Sequence, residues 1–166
     1  LGDPDWIVFD TRHDLAYPDK GRQLWQAGHI PGAFFMHLDE DLSGAKTGKN
    51  GRHPLPPLAD FAARMNRCGV APGRQVVVYD DGGGSFAVRL WWMLRWLGHD
   101  RVALLDGGFA AWKRESRPLD ALVPAPREGH FEPRPRDGYT VDSATVASSL
   151  AGRDLVVVDA RAATRF

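Results

Sequence analysis

Residues 76–86, with the sequence VVVYDDGGGSF, place two acidic side chains in a glycine-rich loop. The apolar run 76–79 predicts a buried parallel strand, and Ser85 is placed to cap a helix that follows the loop. A strand, a glycine loop and a helix start together form a common anion-binding arrangement, because their backbone N–H groups point at one spot. Asp80 and Asp81 would repel an external anion there. We therefore expect the carboxylate of Asp80 to occupy the arrangement as an internal anion.

Two side chains are candidates for a nucleophile. An aspartyl nucleophile of the haloacid dehalogenase-like phosphatase kind requires Asp-x-Asp after the strand, whereas the two acids here are adjacent and are followed by glycines. Cys68 is the only thiol in the sequence. It falls on the apolar face of a predicted helix with Phe61 and Met65, at the end where the helix dipole does not activate a thiol. We interpret Cys68 as a small buried apolar residue.

The elements that must position these residues alternate between strands and helices. Apolar runs predict four strands, and segments with helical spacing of apolar residues lie between or after them. Alternation of this kind favours a parallel sheet that is covered on both faces. The strands are expected at residues 6–10, 33–38, 76–79 and 102–106, and the helices at residues 58–68, 86–98 and 108–115.

The composition changes after residue 120. Residues 121–138 are rich in Pro, Arg, Glu and Gly, which predicts an extended linker. After it, residues 156–161 repeat the pattern of residues 7–12: three apolar residues, Asp, any residue, Arg. We interpret the second copy as the first strand of a homologous second domain. The expected organisation is a first domain at residues 1–120, a linker, and the truncated start of a second domain at residues 139–166.

Several polar residues of these motifs have structural interpretations. The pairs Asp10–Arg12 and Asp159–Arg161 predict ion pairs or caps that hold strand ends. His29 is expected to make a local hydrogen bond. The spacing of the histidines at positions 13, 29 and 37 fits no metal-binding motif, so we predict no metal and no cofactor.

The overall charge and composition exclude several classes of partner. The chain of 166 residues has 21 Lys and Arg and 21 Asp and Glu, so it has no basic field for nucleic acid or an anionic membrane. No apolar run approaches the length of a membrane span, and no segment resembles a signal peptide. One Cys cannot form an internal disulfide, which fits a reducing compartment. We expect a cytoplasmic location, and a mitochondrial or periplasmic one stays open.

Four motifs carry a resemblance to a known family. They are HIPGA at residues 29–33, RLWW at 89–92, GHD at 98–100 and LDGGF at 105–109. In this order they resemble the N-terminal half of the tandem-domain rhodaneses, the thiosulfate and 3-mercaptopyruvate sulfurtransferases. The resemblance covers nearly the whole first domain. It implies an α/β fold with three layers in each domain: a central parallel sheet of about five strands with helices on both faces.

The resemblance also implies an activity and a mechanism. In this family the second domain carries a nucleophilic Cys, which takes sulfur from thiosulfate or 3-mercaptopyruvate as a persulfide and passes it to a thiol or cyanide. Asp80 stands where that domain has its Cys. The chain is thus expected to be the inactive first domain of a sulfurtransferase, partnered by its own second domain, with the catalytic loop beyond Phe166. The alternative is a catalytically empty rhodanese module with a binding or regulatory role.

Three further site residues follow from the resemblance alone. In the mercaptopyruvate branch, an Asp after the HIPGA strand and a His in the next loop relay charge toward a Ser beside the catalytic Cys. Asp39 and His53 match these by position, and the alternative for His53 is a loop histidine without a partner. His13 stands where some members carry an aromatic residue that lines the cleft between the domains. A surface histidine is the alternative for His13.

Overall fold

A computed structural model of the chain describes residues 3–152 and 155–159. The chain divides into two compact units, residues 1–135 and residues 136–166. Among the described residues, no helix has the length and apolar character needed to cross a membrane.

The first unit is an α/β domain with a parallel sheet. The four strands of the sheet lie in the order β2-β1-β3-β4, and every neighbouring pair is parallel. The expected fold class is therefore confirmed, with four strands among the described residues rather than about five. The elements are β1 (Trp6–Asp10), α1 (Lys20–Ala27), β2 (Phe34–Phe35), α2 (Leu58–Arg67), β3 (Gln75–Tyr79), α3 (Ala87–Trp96), β4 (Val102–Leu104) and α4 (Gly108–Arg114).

Strand β2 is shorter than the sequence predicts. The expected strand at residues 33–38 is reduced to Phe34–Phe35, because the chain turns after it. The turn is held by the ring of His37, whose Nδ1 accepts hydrogen bonds from the backbone N–H groups of Asp39 and Glu40. Helix α1 was not predicted, because its apolar face is narrow: among its residues only Gly21 and Trp25 are buried.

Each face of the sheet packs against a different set of residues. On one face, side chains of β1 and β3 such as Phe9 and Val78 form a large core with α2 and α3. On the other face, Tyr79 packs with Ile30 and with Phe109 of α4 in a smaller core. This arrangement gives the three layers that the sequence pattern predicts.

A buried polar network joins the end of β1 to β3. Arg12 donates to Asp10 Oδ2 at 2.6 Å, and the hydroxyl of Tyr79 donates to the same oxygen at 2.8 Å. The Tyr79 hydroxyl in turn accepts the N–H of Ile30 at 3.1 Å. The guanidinium of Arg12 also lies over the ring of Phe109 at 4.0 Å. The predicted Asp10–Arg12 ion pair is thus formed, and it is fully enclosed.

The proline-rich segment after residue 120 is extended, and its part up to residue 135 is attached to the rest of the domain by hydrogen bonds and apolar packing. Its part up to residue 135 packs on the first unit, where Phe131 inserts into the large core with 5% of its surface exposed. The N–H of Phe131 donates to Asn66 Oδ1 at 2.6 Å, and the N–H of Arg134 donates to the carbonyl of Leu97 at 2.9 Å. These contacts attach the segment to the ends of α2 and α3.

The second unit contains one described helix, α5 (Ser143–Gly152). The strand expected from the repeat is not formed over residues 155–159. A parallel strand requires neighbouring strands as hydrogen-bond partners, and the described residues of this unit contain none. Arg161 of the expected second ion pair lies outside the described residues.

The buried network predicts a large loss of stability when one charge is removed. Asp10→Asn leaves the enclosed guanidinium of Arg12 without its counter-charge, which costs about 3–5 kcal/mol. We expect the urea midpoint of unfolding to fall accordingly. The control is Glu115→Gln in the exposed Glu115–Arg117 pair, with a change below about 1 kcal/mol. Equal effects of the two substitutions would contradict this interpretation.

Candidate functional site

The candidate site lies at the carboxyl ends of the strands. His13 follows β1, Asp39 lies in the turn after β2, and Asp80 follows β3 directly. Parallel strands bring their carboxyl ends to one edge of a sheet, which is where α/β folds form their sites. The structure brings these residues, predicted separately, to the same edge.

The carboxylate of Asp80 fills the centre of the glycine loop. Its Oδ1 accepts hydrogen bonds from the N–H groups of Gly82 and Gly84, both at 2.9 Å. Its Oδ2 accepts those of Phe86 at 3.0 Å and Ala87 at 3.2 Å. The expectation that Ser85 caps α3 is wrong, because the N-cap residue is Phe86, which makes no side-chain cap bond. Asp80 takes over the capping.

The four hydrogen bonds decide the ionisation of Asp80. Burial raises the pKa of this carboxyl, but the four backbone N–H donors together outweigh burial and leave the pKa below its ordinary value. Asp80 is thus a carboxylate at neutral pH. It satisfies the same donors that would otherwise bind an external anion.

The LDGGF motif shapes the other side of the loop. The N–H of Phe109 donates to the carbonyl of Asp80 at 2.8 Å. Gly108 lies so close that an added Cβ would be 2.7 Å from that carbonyl oxygen and 2.8 Å from the Cα of Gly82. Gly108 also has φ +54°, in the left-handed region. The motif is therefore required for the close approach of α4 to the loop.

A shallow cleft of about 270 Å³ opens beside the loop. Asp81 lies at this cleft; the residue as a whole is exposed, but its carboxyl is partly desolvated. Burial raises the pKa of Asp81; Arg12 opposes this effect, and the negative charges of Asp10 and Asp80 add to it. Two adjacent carboxylates make the cleft unfavourable for an anion. The cleft is lined by His13, Asp80, Asp81, Gly82, Gly83, Ser85 and Phe86.

The structure brings Asp39, His53 and His13 together. His53 Nε2 is 3.5 Å from Asp39 Oδ1, and His13 Nε2 is 4.0 Å from Asp39 Oδ2. Lys46, which sequence reasoning missed, donates to Asp39 Oδ1 at 2.9 Å. No pattern marks Lys46, because it lies in an irregular loop. The loop of His53 is held by Arg89 of α3, which donates to the carbonyl of His53 at 3.1 Å.

The charges in this cluster are set by burial and by mutual contact. The hydrogen bond from Lys46 lowers the pKa of Asp39 against the raising effect of burial. Burial lowers the pKa of His53, and the positive charges of Lys46, Arg52 and Arg89 add to this, while Asp39 opposes it. The cluster therefore combines an ionised carboxylate with an imidazole that favours its neutral form.

His13 is not a surface residue. Its side chain is 1% exposed, and the ring makes edge contacts with His37 at 5.4 Å and Phe86 at 5.2 Å. Burial and then repulsion by His37 lower the pKa of His13, while Asp39 raises it. His13 lines the shallow cleft beside the Asp80 loop, and its expected role at a cleft between two domains stays a prediction.

Two other candidates have structural roles. Cys68 is fully buried in the large core, and burial raises the pKa of its thiol to about 11. That environment does not activate a nucleophile. His29 stacks on Trp25 at 4.7 Å, and its Nδ1 lies 2.7 Å from the Trp25 carbonyl, a local hydrogen bond as expected.

One group of metal-ligand types occurs among the described residues. Asp19, His37 and Glu40 bring candidate ligand atoms within 4.8 Å of one another. His37 does not suit a metal, because its Nδ1 accepts two backbone N–H bonds and its Nε2 therefore donates to the Pro18 carbonyl at 3.1 Å. Both ring nitrogens are already used.

The Asp80 geometry predicts a pH-dependent contribution to stability. A carboxyl whose pKa is lower in the folded state stabilises the fold above its unfolded pKa of about 3.9. This stabilisation is lost as the pH falls through the folded pKa. Asp80→Asn leaves at least two N–H donors without an acceptor, so we expect a loss of about 2 kcal/mol at pH 7 and a weaker pH slope below pH 4.

Urea unfolding between pH 2 and pH 7 measures this effect. The control is Asp81→Asn in the same loop, whose pKa is shifted in the opposite direction, so its stability at pH 7 should not fall. Loss of stability in Asp81→Asn but not in Asp80→Asn would contradict the assignment of the internal anion.

Comparison with known proteins agrees with the motifs and the fold. The sequence profile of the Rhodanese-like domain matches residues 1–115. A probable 3-mercaptopyruvate sulfurtransferase of Pseudomonas aeruginosa is 44% identical over all of this chain, which covers 59% of that protein. A putative thiosulfate sulfurtransferase of Mycobacterium tuberculosis, SseB, is 36% identical over 99% of this chain and 58% of its own length.

A solved structure agrees as well. The crystal structure of SseA from Escherichia coli, a 3-mercaptopyruvate sulfotransferase with the rhodanese fold, matches 98% of this chain with a TM-score of 0.87 and 33% identity. The chain covers 62% of that protein, so it spans about three fifths of the length of these relatives. The match of the family profile to more than half of its residues, together with this fold, shows that the chain belongs to the rhodanese-like domain family.

Proposed function

We propose that this chain is the non-catalytic first domain of a two-domain sulfurtransferase of the thiosulfate/3-mercaptopyruvate type. The organisation proposed is a first domain at residues 1–120, a linker at 121–138 and the start of a second domain at 139–166. The catalytic Cys belongs to that second domain. The names of the relatives support the class of reaction.

The single observation that carries the proposal is the position of Asp80. A persulfide needs a thiol at the centre of the loop, with backbone N–H groups directed at the sulfur. Here the four donors already bind a carboxylate, which cannot accept a transferable sulfur. Cys68 cannot replace it, because it is enclosed in the core and its pKa is raised.

The proposed reaction has two half-reactions. A Cys thiolate attacks the outer sulfur of thiosulfate, the S–S bond breaks, and sulfite leaves with the electron pair. With 3-mercaptopyruvate the C–S bond breaks instead, and the carbon that loses sulfur gains the proton of the donor thiol, which gives pyruvate. In either case a thiol or cyanide then takes the outer sulfur and the Cys thiolate returns.

Asp39 and His53 are the residues of this domain that we assign to proton handling. The carboxylate orients the imidazole, and the lowered pKa of His53 keeps the ring neutral and able to accept a proton. This role suits the mercaptopyruvate reaction, in which a thiol proton moves. Thiosulfate carries no such proton.

A second candidate is a rhodanese module with a binding or regulatory role. The filled loop and the acidic cleft support it, because neither suits turnover of an anionic sulfur donor within this domain. The two candidates differ in the activity of the complete protein. A cytoplasmic location stays a prediction under both.

Thiocyanate production from cyanide separates the candidates. We expect the 166-residue chain to be inactive with thiosulfate and with 3-mercaptopyruvate, and the complete protein to be active. Cys68→Ser in the complete protein should keep its activity. Thiocyanate formed by the 166-residue chain above a boiled control, and lost in Cys68→Ser, would overturn the assignment. An inactive complete protein would favour the module.

A further inference from the structure

The carboxylate of Asp39 is shared between two imidazoles. His53 approaches Oδ1 at 3.5 Å, and His13 approaches Oδ2 at 4.0 Å. The third contact, from Lys46, goes to Oδ1 on the same side as His53. Each ring thus faces a different oxygen of one group. The relay implied by the family resemblance includes one of these rings and not the other.

The two rings have different surroundings. The side chain of His53 is 22% exposed, whereas that of His13 is 1% exposed. Among the described residues, His13 Nδ1 has no hydrogen-bond partner, although it is buried. His13 also lines the cleft beside the Asp80 loop. One ring therefore exchanges protons with solvent, and the other lies beneath the cleft.

Shared contact with one charge couples the two rings. A proton on either imidazole is stabilised by Asp39, but the first proton repels the second. The geometry therefore disfavours protonation of His13 and His53 at the same time.

Other charged groups near the two rings also affect their protonation. Around His13 they are Asp14 and the cleft carboxylates Asp80 and Asp81, besides Asp39 and the two histidines. Around His53 they are Lys46, Arg52 and Arg89, besides Asp39. His13 thus lies on the acidic side of Asp39 and His53 on its basic side, so Asp39 separates two regions of opposite charge.

We propose that His13 is a positioning residue of the Asp39–His53 pair: the two imidazoles share one carboxylate, so a proton on one ring disfavours a proton on the other. His53 is the solvent-facing member, and His13 is the member at the cleft. A charged group bound in the cleft would change the protonation of His13. Through Asp39, it would then change how easily His53 accepts a proton. Only the source of the proton that His53 accepts, the thiol of the sulfur donor, rests on the proposed function.

Imidazole titration by ¹H–¹⁵N NMR on the 166-residue chain tests this inference without any turnover. The more buried His13 is expected to protonate second, against the charge on His53. His53→Gln should therefore raise the titration midpoint of His13. Asp39→Asn should lower the midpoints of both rings. The matched control is His130→Gln, an exposed histidine of the proline-rich segment, which should move neither.

Several outcomes would overturn the inference. They are a His13 midpoint that is unchanged in His53→Gln, an equal change in His130→Gln, and a His13 ring that titrates in neither protein before the chain unfolds. His53 lies in a loop, so His53→Gln is expected to fold, and its urea midpoint confirms this. If the complete protein is inactive but the His13 midpoint still rises in His53→Gln, the proposed function is rejected and the interaction between the two rings is supported.

Discussion

The structure of the candidate site depends on one carboxylate that accepts four backbone N–H bonds. Asp80 directly follows β3, fills the glycine loop and caps the first turn of α3, so it connects three parts of the fold. Its own carbonyl accepts the N–H of Phe109 and so attaches α4 to the same point. An anion at position 80 is thus a structural requirement of the loop. The four donors are thereby satisfied by the protein itself.

Two polar groups near the loop differ in burial and in the length of their contacts: the Asp10–Arg12–Tyr79 network and the Asp39 cluster. The Asp10–Arg12–Tyr79 network is enclosed and satisfied, which suits a structural role. The Asp39 cluster is half-exposed, with contacts of 3.5 and 4.0 Å to its imidazoles. The edge where strands β1, β2 and β3 end thus combines short polar contacts that hold the fold with longer contacts between Asp39 and its two imidazoles.

Much of this arrangement could be predicted from the sequence. Apolar runs predicted the strands at residues 6–10 and 76–79. An acidic residue at the start of the glycine loop predicted the internal anion. The cap was assigned to Ser85, because local spacing cannot show that a carboxylate seven residues before Ala87 reaches over the loop. Lys46 was missed because contacts within an irregular loop leave no periodic signal. The strand expected at residues 156–161 is not formed over its described part, residues 156–159, because the repeat carries the residue pattern of a strand but not the neighbours that a strand needs.

The central claim is that the loop after β3 is a complete anion site held by Asp80. The most direct measurement is the pH dependence of alkylation in Asp80→Cys, with the modified position identified by mass spectrometry. Four N–H donors should lower the pKa of the introduced thiol below the ordinary value of about 8.5. Cys68 is the internal reference, because burial raises its pKa to about 11. An introduced thiol with an ordinary or raised pKa would contradict the account.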